Sequence, residues 1–271
     1  MRTLTPNLSA AQLWPQPPKL PKPVFSDQRW LDAVFLHWRV PEAVAAAFMP
    51  EGVQPDVFDG SSWVGLIGFR MEKAGLGTGP GIPYLGSFNE VNVRLYSREP
   101  DGTRGVVFLS LDANRLPVVL ATRAAGIPYV WSRIRQWPPF PGRDSRQQYG
   151  NRWTPAGSMG ELPVGYSVRR FGGGSARSHF GVVPKLHTAV SDPLSIFLTA
   201  RFGMHGSFRG RTMYVPNTHH DWPLFGADVH RLTDELIGAS GISVSGPPES
   251  VLYSPGVRTR FGMPRLLGTG G

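Results

Sequence analysis

Glycine and proline punctuate this chain too often for long regular elements. There are 33 glycines and 27 prolines in 271 residues, without the glycine-every-third-residue period of collagen. Between these breakers stand short apolar runs, a pattern of many short strands and turns. The runs at 30–40 (WLDAVFLHWRV), 61–71 (SSWVGLIGFRM), 90–98 (EVNVRLYSR), 104–112 (RGVVFLSLD) and 129–137 (YVWSRIRQW) read as strands. Further short strands are expected at 146–153, 165–171, 176–183, 211–217, 227–232 and 250–257. Asp101-Gly102 marks a hairpin, and the GGGS at 172–175 marks a second turn.

Helical signals are few. Pro41 opens PEAVAAAF as a first-turn proline, and NRLPVVLATRAAG at 114–126 has a helical composition. SDPLSIFLTARFG gives the clearest helix, with Ser191 or Asp192 as cap, Pro193 in the first turn and Gly203 at the end. TDELIGASG supplies a last short helix with Thr233 as its expected cap. The expected organisation is a proline-rich arm over 1–24, one domain over 25–265, and a tail over 266–271. The fold class is β-rich α+β, a curved barrel-like or double sheet with a few short helices.

No cysteine is present, so disulfides and thiolate metal sites are excluded. The N-terminus lacks a signal-peptide pattern, and no apolar run approaches the ~20 residues of a membrane span. A cytoplasmic protein without membrane contact is expected. The net charge is +9. Nine arginines fall between Arg123 and Arg177, against Asp144 and Glu161 alone. Such a stretch attracts polyanions. It is also what a solvated basic face looks like, and no recognition helix, zinc finger or RNA-sheet motif accompanies it. Nucleic acid is therefore disfavoured as a partner.

The segment from Leu85 to Trp131 concentrates the candidate chemistry. Glu90 sits in a strand-like run that is otherwise apolar or neutral up to Arg94. A buried charge is costly unless it is paired or used. Strand alternation puts Glu90, Asn92 and Arg94 on one face, which suits either a pocket wall or a solvated outer face. If buried, the Glu90 carboxyl would be shifted up by desolvation unless Arg94 or Arg123 held it ionised. It would then serve as a general acid or base. Tyr129 is a candidate neutral hydrogen-bond donor to a carbonyl, or a core residue. Arg123 is a candidate bidentate carboxylate anchor, or a helix-end residue.

LGSFNEVNVR, GVVFLSLDANR, RAAGIPYVW, FLTARFG, HHDWPL and VLYSPGV together resemble the YqjF-like DUF2071 family of uncharacterised bacterial proteins, over about residues 27–262. That family is related in fold to acetoacetate decarboxylase. The resemblance implies a closed, cone-like β-barrel or double sheet with an interior pocket. It sets Glu90 at the decarboxylase's carboxylate position and keeps Arg123, Gly126 and Pro128. Tyr129 and Val130 stand where the decarboxylase carries two lysines, the first of which forms a Schiff base. Tyrosine cannot condense with a carbonyl as an amine does. The chain's lysines, Lys19, Lys22, Lys73 and Lys185, all lie outside this segment. A decarboxylase arginine falls near Trp38 or Arg39, with one residue of register deciding whether Arg39 points inward.

The expectation is a pocket for a small carbonyl or carboxylic acid metabolite. Glu90 and Tyr129 are its catalytic candidates, with Arg94, Arg123, Asn92 and Arg39 as binding residues. The reaction would be of lyase, isomerase or cyclase type, without cofactor or Schiff base. The rivals are a non-catalytic ligand-binding or interaction protein and a basic nucleic-acid binder. Self-association into a homo-oligomer is left open. Asp112 or Asn114 is expected to cap the helix that follows. His219, His220 and Asp221 read as a turn before Pro223, because adjacent strand histidines face opposite ways and no third ligand has metal spacing.

Overall fold

A computed structural model describes residues 15–137, 162–171 and 175–267. In chain order the elements are β1 (Ser26–Val40), α1 (Glu42–Ala46), β2 (Gln54–Pro55), β3 (Ser62–Leu76), β4 (Phe88–Arg98) and β5 (Arg104–Ala113). Then come α2 (Leu116–Ala124), β6 (Tyr129–Trp137), β7 (Val164–Arg170), β8 (Arg177–Ala189), α3 (Pro193–Thr199) and β9 (Gly203–Phe208). The last are β10 (Arg211–His219), β11 (Phe225–Asp234), α4 (Leu236–Ala239), β12 (Ser250–Phe261) and β13 (Arg265–Leu266). The strand expected over 146–153, residues 172–174 of the expected turn, residues 1–14 of the arm and 268–271 of the tail lie outside the described residues.

The pairings close on themselves twice. One circuit runs β5-β6-β7-β8-β11-β12-β1-β3-β4 and back to β5; the other runs β5-β9-β10-β12-β1-β3-β4 and back to β5. Both share the wall β12-β1-β3-β4-β5, which is therefore buried on both faces. The double-sheet form expected from the sequence is what this pairing builds. Alternation along the shared strands sends Val34, Leu36, Val64, Leu66, Val91, Val93 and Leu95 to one side, where they meet Tyr166, Phe180 and Ile237. It sends Phe35, Ile67, Phe69 and Phe88 to the other, where they meet Leu111, Tyr129 and Trp222. Truncating a large apolar residue of this wall to alanine should cost about 2–5 kcal/mol.

Local chemistry sets the connections. At the β4–β5 hairpin, Gly102 adopts φ +89° and Thr103 N–H donates to Asp101 Oδ1 at 2.8 Å, as the Asp-Gly pair requires. The β5–α2–β6 crossover brings β6 parallel to β5, pairing Leu111 with Tyr129, as a helical connection allows. Asp192 caps α3, accepting from Ser195 N at 3.0 Å.

Three local expectations are corrected. The α3 helix stops at Thr199, short of Gly203: Ala200 leaves helical geometry at ψ 71°, and Arg201 beyond it turns inward to meet Asp56 at 2.5 Å. The N-cap of α4 is Glu235, and it is Asp234, not Thr233, whose Oδ2 accepts from Ile237 N at 3.0 Å. Neither Asp112 nor Asn114 caps α2, whose N-cap is Arg115 without a side-chain bond. Asp112 is instead held by Arg170 at 2.8 Å through both carboxylate oxygens and by Ser132 at 2.6 Å.

Candidate active site

The even-numbered residues of β4 carry a polar stripe into the interior on the Phe35 side of the shared wall. Glu90 lies opposite Phe69 and Ala113, Asn92 opposite Ile67 and Leu111, and Arg94 opposite Gly65 and Phe108. All three are buried, Glu90 at 3% exposure. A solvated outer face, the ordinary explanation for three alternating polar residues, is thereby set aside.

Glu90 is tied to the start of β6. Tyr129 Oη donates to Glu90 Oε2 at 2.7 Å, and Asn92 Nδ2 donates to Oε1 at 3.5 Å. The Gly126-Ile127-Pro128 turn delivers Tyr129 there: Gly126 takes φ +81° and Leu111 N–H donates to Pro128 O at 3.1 Å. Burial pushes the Glu90 carboxyl from its ordinary 4.5 up to about 7; the bonds from Tyr129 and Asn92 oppose that rise, and the charge of Asp112 adds to it. Burial, then the charge of Glu90, holds the Tyr129 phenol well above 10. The result is a carboxyl that exchanges its proton near neutral pH beside a phenol that stays neutral.

Arg94 does not pair with Glu90. Its Nη2 donates to Leu198 O on α3 at 3.0 Å, and its Nε donates to Tyr96 Oη at 3.3 Å. Among the described residues it forms no ion pair, although only 9% of its surface is exposed. Buried guanidinium groups are ordinarily matched to an anion.

Two residues of this cluster were not singled out from the sequence. His37, fully buried, lies 2.6 Å through Nε2 from Tyr96 Oη. Tyr96 Oη also accepts from Arg94 Nε, so the phenol joins the imidazole to the guanidinium. Burial and the neighbouring Arg94 charge depress the His37 pKa well below its usual value, so the ring is neutral. Its Nδ1 and the Oδ1 of Asn92 are buried without a hydrogen-bond partner among the described residues. Gly65, paired to both His37 and Arg94, makes room: a Cβ there would lie 2.9 Å from the imidazole. The sequence signal available was parity, since His37 follows inward Phe35 by two residues and Tyr96 follows Arg94 by two.

Arg39 and Arg123 are not brought to the site. Arg39 sits at the end of β1, its side chain 32% exposed, bound to Glu249 at 2.9 Å and Asp59 at 3.0 Å. It has the inward parity of His37, but the strand runs out to the rim, where its guanidinium lies over Trp63 at 4.7 Å. Arg123 is exposed in the last turn of α2, where a cation favours the helix dipole.

Other polar clusters are structural. Ser97 Oγ lies 2.8 Å from His205 Nδ1, and His205 Nε2 lies 3.1 Å from Glu99. This chain has the members of a hydrolytic triad, but Ser97 is 0% exposed and so out of reach of a substrate. His219 is buried with Nδ1 donating to His220 O at 2.7 Å, and His220 is exposed. Among the described residues no three His, Asp or Glu side chains gather as metal ligands.

A cleft of about 310 Å³ opens beside α3, lined by Phe58, Arg104, Pro193 and Phe197 among others. The Phe197 ring packs 5.7 Å from that of Tyr96.

The sequence of these elements matches the family model DUF2071, uncharacterized conserved protein, over residues 27–258. The chain belongs to the DUF2071 family. It is 26% identical over 226 residues to uncharacterized protein YqjF of Bacillus subtilis (strain 168), covering 82% of this chain and 83% of that one. The fold is similar to an acetoacetate decarboxylase-like enzyme from Sphingomonas wittichii RW1, with TM-score 0.60, 14% identity, and coverage of 92% and 95%. It is similar too to the enduracididine biosynthesis enzyme MppR complexed with pyruvate, with TM-score 0.59, 14% identity, and coverage of 93% for each chain. The acetoacetate decarboxylase of Legionella pneumophila aligns with TM-score 0.57 at 10% identity, covering 94% and 92%. This DUF2071 chain therefore has the acetoacetate decarboxylase-like fold. Lys19, Lys22 and Lys73 are exposed, and Lys185 pairs with Asp228 at 2.6 Å; none lines the stripe.

Proposed function

We propose that this protein binds a small carboxylic acid carrying a carbonyl group along the β4 stripe and moves a proton at the carbon beside that carbonyl. The observation that carries the reading is the buried Glu90–Tyr129 pair, whose carboxyl titrates at about 7. Glu90, ionised, takes the proton from carbon. Tyr129, freed from Glu90 as that carboxyl becomes neutral, donates to the developing enolate oxygen. Arg94, held by Leu198 O and Tyr96, offers its remaining donors to the acid group. The enolate then partitions to a lyase, isomerase or cyclase outcome. Ligand would enter from the α3 cleft by displacement of Phe197.

The neighbour that holds pyruvate supports 2-oxo acids as the first ligand panel. Borohydride treatment with pyruvate followed by mass spectrometry tests the mechanism. The expected result is an unmodified protein whose melting temperature rises with the acid. A lysine adduct overturns the proposal.

A second reading, ligand binding without turnover, draws on the resemblance, which sets Tyr129 at the position of the decarboxylase's Schiff-base lysine. It predicts the same thermal shift with no exchange of substrate hydrogens.

A further inference from the structure

The outer face of β6, β7 and β8 carries a feature that composition alone does not reveal. Arg133 lies directly opposite Arg169, and Arg169 directly opposite Arg177. All three side chains are exposed. Adjacent strands lie about 4.8 Å apart, so three guanidinium groups rise from one row about 10 Å long. Like charges directly opposite each other on a sheet destabilise it. Among the described residues, none of the three guanidinium groups forms an ion pair. The acid beside the row, Glu235, has its carboxylate on the backbone N–H of Arg177 at 2.9 Å. Arg135, two residues along β6 and opposite Ser167, adds a fourth exposed cation on the same face.

Next to this row, on the same face, stands an exposed aromatic pair. The rings of Trp131 and Phe171 lie 4.4 Å apart, and the residues are 41% and 44% exposed. Phe171 N–H donates to Trp131 O at 3.0 Å, which holds the pair in register with the arginines. The face therefore offers an aromatic step followed by a cationic step on an antiparallel sheet. Bases stack on aromatic side chains while arginines take the phosphates in sheet surfaces that hold single strands.

We infer that the β6–β7–β8 face binds single-stranded nucleic acid, the Arg133–Arg169–Arg177 row holding phosphates and the Trp131–Phe171 pair stacking a base. The inference is independent of the interior site, since these side chains point away from it. Neutralising about three or four phosphates gives a slope of log affinity against log salt of about −2 to −3.

Fluorescence anisotropy of labelled oligothymidine and oligouridine with the full chain tests it. The expected result is binding at low salt with that slope, and quenching of tryptophan fluorescence that Trp131→Leu removes. Arg133→Gln/Arg169→Gln/Arg177→Gln should weaken binding by tenfold or more and flatten the slope. Its melting temperature should be no lower than that of the wild type, because like-charge repulsion is removed. No binding at the lowest salt, or equal binding by the triple variant, overturns the inference. So does a salt slope that persists with no contribution from Trp131 or Phe171, which marks attraction of any polyanion.

Discussion

Tyr129 and Glu90, 39 residues apart in sequence, meet in a buried 2.7 Å hydrogen bond between the start of β6 and the first residues of β4. The bond joins the one interior carboxylate of the stripe to a phenol that burial keeps protonated. It is the relationship on which the proposed chemistry rests, and it has measurable consequences for stability as well as for turnover.

Stability should depend on Glu90 in a defined pH window. Its folded-state value, about 7, lies above its ordinary 4.5, so the native protein holds this proton more tightly than the unfolded chain. The associated stabilisation is fully present below the ordinary value and is lost as pH rises through about 7. The difference across the window is roughly 3 kcal/mol. Urea unfolding of wild type and Glu90→Gln, compared at each pH, should show the variant gaining on the wild type between those limits and level above them. A pH-independent difference would remove the perturbed carboxyl.

Tyr129→Phe should push the Glu90 titration upward. The phenol donates to the carboxylate and so opposes the effect of burial; removing it leaves desolvation less compensated. The acid limb of any pH–rate profile should move to higher pH, with about 1–3 kcal/mol lost in stability at high pH. An unmoved limb would disconnect the two residues.

Arg94→Lys should raise KM for a 2-oxo acid by about tenfold to a hundredfold with a smaller change in kcat, since an ammonium cannot present a planar pair of donors. A neutral ketone of the same shape should show no such discrimination. Equal effects on both ligands would limit Arg94 to its bond with Leu198 O.

Much of this site was legible in β4 alone. Alternation of Glu90, Asn92 and Arg94 with Val91 and Val93 fixed which residues share a face, but not which face is covered. That depends on β9, β10 and α3 closing over it, a long-range pairing with no local signal. Arg39 shows the same limit from the other side. Its parity is inward, yet it lies where the strand leaves the interior, and the position of a rim is a tertiary property. Arg123 belongs to the same segment, yet it stands exposed in the last turn of α2, and which side of a short helix meets solvent is likewise a tertiary property. At His37 the sequence offers only a lone histidine on an apolar strand, which is ordinarily core. Its role emerges only with Tyr96 and Arg94 around it.

Arg39→Ala should therefore be nearly silent. Its ion pairs to Glu249 and Asp59 are half exposed, and exposed pairs contribute about 0.2–1 kcal/mol. Arg170→Ala should behave oppositely, costing about 3–5 kcal/mol, because it strands the fully buried carboxylate of Asp112. Thermal melts of the two variants separate rim from interior.

Exchange of the hydrogens next to the carbonyl of pyruvate in deuterated water, followed by NMR against pH, tests the role of Glu90 most directly. Wild-type protein should catalyse exchange with a limb centred near pH 7, the value of the Glu90 carboxyl, and Glu90→Gln should abolish it while remaining folded. Exchange that survives in Glu90→Gln with the same limb would contradict the assignment of proton transfer to this residue.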